Sequence, residues 1–173
     1  MDLKSLIREV PDFPKPGISF KDITTVIQDG PAFRYIIDQF EGHFRPARPD
    51  LVVGAESRGF ILGAPLAYKL GTGFVLVRKP GKLPAEKERI TYDLEYGQDS
   101  LEIHKDAIKP GQKVLIIDDL LATGGTISAT AELVKRLGGV IVGFAFIIEL
   151  DPLKGREKLK GYDVLSLVHY DEA

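Results

Sequence analysis

The chain contains no cysteine among its 173 residues. Disulfides, thiolate metal sites and cysteine nucleophiles are therefore excluded, which is compatible with a reducing compartment. Histidine is scarce: His43, His104 and His169 are scattered without metal-ligand spacing and are read as structural. Neither sign of charge dominates, with 23 Lys and Arg against 25 Asp and Glu and a net charge of −2. That balance removes the electrostatic case for a dedicated nucleic-acid binder, and no basic tail seeks a membrane surface. Long hydrophobic runs are missing too. The longest, Val140 to Leu150, is far short of a bilayer span and carries Glu149. The opening MDLKSLIREVPDF mixes acids and bases and is not a signal peptide. A soluble, cytoplasmic protein is expected, with no membrane and no nucleic acid among its partners. Repeats, low-complexity tracts and linker-like shifts are also lacking, so residues 1–173 are read as a single domain.

With 44% hydrophobic and 28% charged residues, the chain has the material for an ordinary globular core. LKSLIREV reads as a short helix ended by Pro11, and PDFPKPGISFKD as irregular because of its prolines and glycine. Asp29-Gly30-Pro31 opens a helix whose Phe33, Ile36, Ile37, Phe40 and Phe44 fall on one face. Short apolar runs then alternate with helical stretches: LVVGA, FVLVRK, KVLIID, VIVGFAFIIEL and YDVLSLV are the strands. TYDLEY and SLEIH read as a hairpin turning at Gly97 to Asp99. The predicted fold is α/β, a mostly parallel sheet with helices on both faces and one antiparallel hairpin.

The most informative stretch is VLIIDDLLATGGT, Val114 to Thr126. A buried strand ends in Asp118 and Asp119, and a Thr/Gly loop then enters a helix, the position where open α/β sheets bind ligands. Gly124 and Gly125 admit an anion close to the backbone. The N–H groups of the helix start point at it, and Ala122, Thr123 and Thr126 complete the cradle. The lysine of a P-loop is missing, and so is GxGxxG. The two carboxylates would repel a polyphosphate but suit ribose hydroxyls, so a phosphate cradle beside a diol reader points to a ribose 5-phosphate. A lone Asp and Thr would more simply cap a helix; two acids, two threonines and two glycines together exceed what a cap needs.

A second strand-to-helix turn, Ala55-Glu56-Ser57-Arg58-Gly59, offers backbone N–H groups and a guanidinium fork for another anion. Its plainer reading is a helix start with Ser57 as cap and Arg58 in solvent. Arg78-Lys79-Pro80-Gly81-Lys82 leaves a strand with three positive charges and enters the hairpin. It is either a solvated basic loop or a cationic lid. Asp93 and Glu95 share one face of a strand, and pattern alone does not separate a catalytic role from an exposed acidic face.

VLIIDDLLATGGT resembles the diphosphoribosyl-binding motif of the type I phosphoribosyltransferases. PDFPKPGISFKDIT, ESRGF, RKPGKLP, YDLEYG, LEIHKDAI and LKGREKL extend the resemblance over nearly the whole chain, to the adenine-specific members. The resemblance implies the type I fold, with a base-recognition segment over about 1–30 and a hairpin lid over about 79–104. The reaction implied is purine salvage, adenine plus 5-phosphoribosyl 1-diphosphate giving AMP and pyrophosphate. It assigns the pyrophosphate to Ser57 and Arg58, with a non-proline cis peptide near Glu56–Ser57, and to the lid cations Arg78, Lys79 and Lys82. The catalytic-loop acid becomes Glu95. Phe20 and Leu120 stack on the base, and the backbone of Ser19 and Lys21 reads its edge. Mg²⁺ is implied, held mainly by substrate and water with no protein metal site, and so is a homodimer with a lid cation reaching across it. Two rivals stand beside this reading: a preference for a 6-oxo purine, and a non-catalytic effector-binding module of a transcription regulator. The latter predicts an appended DNA-binding domain and a basic surface, for which 173 residues at net charge −2 leave no room.

Overall fold

The structure, a computed structural model, describes residues 1–94 and 97–173. A 3₁₀ turn at Lys4–Leu6 leads into β1 (Arg8–Val10), which pairs antiparallel with β2 (Phe20–Asp22). The expected opening helix is thus a single turn followed by a strand, because Arg8–Val10 finds a partner ten residues on, across the proline-rich loop. Two helices follow, α1 (Thr24–Ile27) and α2 (Gly30–Phe44). Asp29 caps α2 by accepting from the Ala32 N–H at 2.9 Å, with Pro31 in its first turn, as the sequence predicts.

The chain continues as β3 (Leu51–Ala55), α3 (Arg58–Leu70) and β4 (Gly73–Val77). Next come β5 (Lys87–Leu94) and β6 (Gly97–His104), then β7 (Lys113–Leu121) and α4 (Gly125–Arg136). Strands β8 (Val140–Leu150) and β9 (Val164–Tyr170) end it, separated by 3₁₀ turns at Asp151–Leu153 and Gly155–Leu159. The central sheet is parallel throughout, in the order β4-β3-β7-β8-β9. Its three inner strands, β3, β7 and β8, are largely buried on both faces, which explains their unbroken apolar runs. On one face pack α2 and α3, through Ile36, Phe40, Phe44, Leu62 and Leu66, together with Ile7 and Ile23 of the N-terminal segment. On the other lie α4, through Ile127, Leu133 and Val134, and the hairpin strand β6, through Leu101 and Ile103.

The hairpin departs from the sequence reading in register. Leu94 pairs with Gly97, so Gly97 to Asp99 belong to β6 instead of the turn. The two residues between, Glu95 and Tyr96, lie outside the described residues. Strand β7 also runs past both aspartates to Leu121, three residues beyond the expected end, because Leu120 and Leu121 still pair with Ile148 and Glu149.

Candidate functional site

The carboxyl ends of β3 and β7, neighbours in the sheet, carry the two turns singled out in the sequence. The two strands run parallel, so both helix starts open at the same edge of the sheet. Helix α4 begins after Gly124, whose φ of +86° places it in the left-handed region open to glycine, and no side chain caps the helix. Ser57 makes no side-chain cap to α3 either. The capping explanation therefore fails for both turns, and both helix starts keep the N–H groups that attract anions. The Glu56–Ser57 peptide is cis, as the resemblance implies.

Asp118 to Thr126, with Arg58, line one cavity of about 210 Å³. Asp119 is buried, and its Oδ2 accepts from Arg58 Nε at 2.5 Å. Asp118 Oδ1 accepts from the Asp119 N–H at 2.9 Å. Burial, and then the neighbouring Asp119 charge, push the Asp118 carboxyl well above the usual carboxylate range. The Asp119 charge raises Arg58 in turn. The cavity wall is thus an acid–acid–guanidinium triad set beside a loop of glycines and hydroxyls. Half-exposed Arg58 leans toward the paired acids.

The loop is braced from behind by the 3₁₀ turn at Gly155–Leu159. A Cβ on Gly155 would sit 2.4 Å from the Ala122 carbonyl oxygen, and one on Gly124 would sit 3.0 Å from the Gly155 oxygen. Sequence reasoning missed this contact, since LKGREKL carries no local sign of packing on a loop thirty residues earlier.

The lid cations are partly engaged. Arg78 Nε donates to Glu56 Oε1 at 3.1 Å, and the Lys79 N–H donates to the same oxygen at 2.9 Å. The Lys79 N–H, then the Arg78 guanidinium, hold the Glu56 carboxyl low against burial. Lys79 Nζ pairs with Asp99 of the hairpin, while Lys82 is exposed. The hairpin reaches the Thr/Gly loop, where the Tyr92 and Thr126 hydroxyls lie 3.3 Å apart. Glu56 and Tyr92 were not foreseen, although both lie inside the ESRGF and YDLEYG signatures.

Of the residues expected to recognise the base, Ser19, Phe20 and Lys21 lie apart from that cavity's lining, on the N-terminal hairpin, whereas Leu120 of β7 is part of it. Phe20 meets Phe13 edge to face at 5.2 Å. Lys21 is ion-paired with Glu9 at 2.8 Å and donates to the Ser19 hydroxyl at 3.1 Å. Leu120 packs with the core on the sheet face that also holds Ile7 and Ile23, the face of this hairpin. Glu95 falls outside the described residues.

Among the described residues, Glu149, Asp151 and His169 bring possible ligand atoms within 4.8 Å of one another. Arg156 already engages both Glu149 oxygens, at 2.9 and 2.6 Å, and His169 Nδ1 lies 2.8 Å from Asp151. His43 lies against Asp163 at 2.9 Å, and His104 accepts from the Ala85 N–H at 3.3 Å. Each histidine thus has a structural partner.

The family described as phosphoribosyl transferase domain matches residues 25–170. A Clostridium perfringens (strain SM101 / Type A) protein named adenine phosphoribosyltransferase is 63% identical over 171 residues, covering 99% of each chain. The crystal structure of adenine phosphoribosyltransferase from Thermoanaerobacter pseudethanolicus superposes with a TM-score of 0.94 at 57% identity, covering 98% of both chains. That of the Saccharomyces cerevisiae adenine phosphoribosyltransferase, complexed with an imino-altritol bisphosphate and adenine, gives 0.91 at 45% identity over 96% of both.

Proposed function

The chain belongs to the phosphoribosyl transferase family, and we infer that it carries out the reaction for which its full-length relatives are named. It transfers the phosphoribosyl group of 5-phosphoribosyl 1-diphosphate to adenine, giving AMP and pyrophosphate, a purine salvage reaction. The observation that carries this reading is the shared cavity wall, in which paired carboxylates adjoin an uncapped helix start and a glycine loop.

The division of labour follows from the chemistry of each group. The 5′-phosphate lies on Ala122 to Thr126, where hydrogen bonds to a charged group contribute about 1.5–3 kcal/mol each. Asp118 and Asp119 accept from the two ribose hydroxyls. Their electron-rich oxygens also favour the oxocarbenium-like centre that develops at the anomeric carbon as the bond to pyrophosphate breaks. Adenine N9 forms the new bond to that carbon. Glu95 accepts a hydrogen bond from the purine and assists the loss of its imidazole proton. Pyrophosphate leaves toward Ser57, Arg58 and the lid cations Arg78, Lys79 and Lys82, and a closed lid keeps water from the cation. Phe20 and Leu120 flank the base, while the backbone of Ser19 and Lys21 pairs with the amino group and N1, which need one acceptor and one donor.

Mg²⁺ fits this site as a partner of the substrate. It prefers an octahedron of oxygens and keeps several waters, whereas Asp119 is committed to Arg58 and Arg156 saturates Glu149. When bound, it neutralises pyrophosphate charge; the substrate oxygens and water hold it. The protein is a cytoplasmic homodimer in this reading, with exposed Lys82 the cation best placed to reach a partner's pyrophosphate.

The test is pyrophosphate release with Mg²⁺ and 5-phosphoribosyl 1-diphosphate, offering adenine, hypoxanthine, guanine and xanthine separately. Turnover with adenine alone is expected. Turnover with a 6-oxo base overturns the base assignment, and silence with all four in protein that still binds the diphosphate overturns the enzyme.

A further inference from the structure

The segment assigned to base recognition is seated on the far end of the chain. Lys21 Nζ lies 4.3 Å from the ring centroid of Tyr170 and Lys4 Nζ 4.6 Å from the same centroid, while Lys4 also donates to the His169 carbonyl at 3.0 Å. Tyr170 is 4% exposed and the Lys21 side chain 5% exposed. An ammonium so shielded from water is held by Glu9 at 2.8 Å, its directly opposite partner in the β1–β2 ladder, by the Ser19 hydroxyl, and by the negative face of the Tyr170 ring. Successive side chains of a strand point to opposite faces. Ser19 and Lys21 therefore grip one side of β2 while Phe20 projects from the other. Holding the back of the strand fixes where Phe20 stands and where the N–H and C=O groups of Ser19 and Lys21 point.

We propose that Tyr170 is a positioning residue for base recognition: its ring, through Lys21 and with Glu9, seats the strand that reads adenine. The inference rests on the base-site assignment given above. It explains why a lysine whose backbone does the reading also has a committed side chain. It also makes a prediction that a merely structural role would not: the effect falls on one substrate.

Tyr170→Leu removes the π face and is expected to raise KM for adenine about 5- to 20-fold, the range of a desolvated cation–π contact. KM for 5-phosphoribosyl 1-diphosphate and kcat at saturating adenine should stay within about twofold. Tyr170→Phe keeps the ring and drops a buried hydroxyl that has no hydrogen-bond partner among the described residues; its adenine KM should match the parent. Lys21→Met keeps the stem without the charge and should reproduce the Tyr170→Leu effect, with Lys21→Arg restoring most of it. If Tyr170→Leu does not fold, Lys21→Met carries the test alone. Unchanged adenine KM in Lys21→Met, or parallel rises in both KM values, overturns the proposal. Phe20→Ala separates the two levels. If it leaves adenine KM unchanged, the base-site assignment is wrong. If it raises adenine KM while Tyr170→Leu and Lys21→Met do not, the positioning role alone is wrong.

Discussion

Replacing Asp118 with asparagine should make the substrate-free protein more stable and the enzyme at least tenfold less efficient. The two acids assigned to the ribose in the proposed reading are adjacent in sequence, and Asp119 is already neutralised by Arg58. Asp118 has no ion pair of its own among the described residues: burial and the Asp119 charge oppose its ionisation and outweigh the Asp119 N–H and the more distant Arg58 charge. Asparagine keeps the oxygen that accepts from the Asp119 N–H at 2.9 Å, so the change removes charge and little else. Relieving a destabilised functional site commonly gains about 0.5–2 kcal/mol. For a chain of this length that corresponds to a rise of roughly 1–8 °C in Tm. The sign with pH is fixed. A carboxyl whose folded pKa is raised costs nothing while both states are protonated, and its penalty grows as pH rises from the unfolded value toward the raised one. The gain from Asp118→Asn should therefore be small near pH 4 and reach a plateau above the raised pKa. Losing a charged acceptor for a ribose hydroxyl costs about 1.5–3 kcal/mol, or roughly 10- to 150-fold in kcat/KM. Thermal unfolding of both proteins from pH 4 to 8, alongside pyrophosphate release, measures both effects. A Tm that falls at pH 7, or a Tm difference independent of pH, would refute the buried-charge argument whatever happens to activity.

Gly155→Ala should raise KM for 5-phosphoribosyl 1-diphosphate more than KM for adenine, because its Cβ would press on the Ala122 carbonyl at 2.4 Å and shift the phosphate loop. Steady-state kinetics with each substrate varied in turn checks this, and equal effects on both count against it. Asp22 shows the opposite pH behaviour to Asp118. Hydrogen bonds from the Thr24 hydroxyl and N–H, then from Arg8, hold its carboxyl at about 2. Its stabilisation is complete above its unfolded value of 3.8 and is lost as pH falls toward 2. With Arg8 largely exposed, Asp22→Asn should cost about 1 kcal/mol at pH 7. That difference should shrink in melts between pH 5 and 3.

The sequence was most readable where strand, turn and helix follow one another without interruption. The string from Val114 to Thr126 displays the buried run, the acids and the loop in order, and the cavity is built from those same residues. Long apolar runs likewise gave the parallel strands. Reading failed where a partner lies elsewhere. Arg8–Val10 has too little pattern to announce a strand until Phe20–Asp22 is known to face it. The hairpin turn was misplaced because glycine marked Gly97, which the ladder pairs with Leu94. The brace by Gly155, the Glu56 tie to the basic loop and the gathering of Glu149, Asp151 and His169 are products of packing between distant segments. Composition and local spacing carry no trace of such meetings.

The seating of the first turn on the last strand has a consequence for the order of assembly. The pairing of β3 with β7 closes within the first 121 residues, whereas the loop after β7 is braced only once Gly155–Leu159 has been made. The Lys4 to His169 bond spans 165 positions, and closing so long a loop waits for the final strand. Domains generally fold as units during synthesis. In the proposed reading, the strand that reads adenine is therefore seated only when the last strand is in place, so base selectivity is among the final properties the fold acquires.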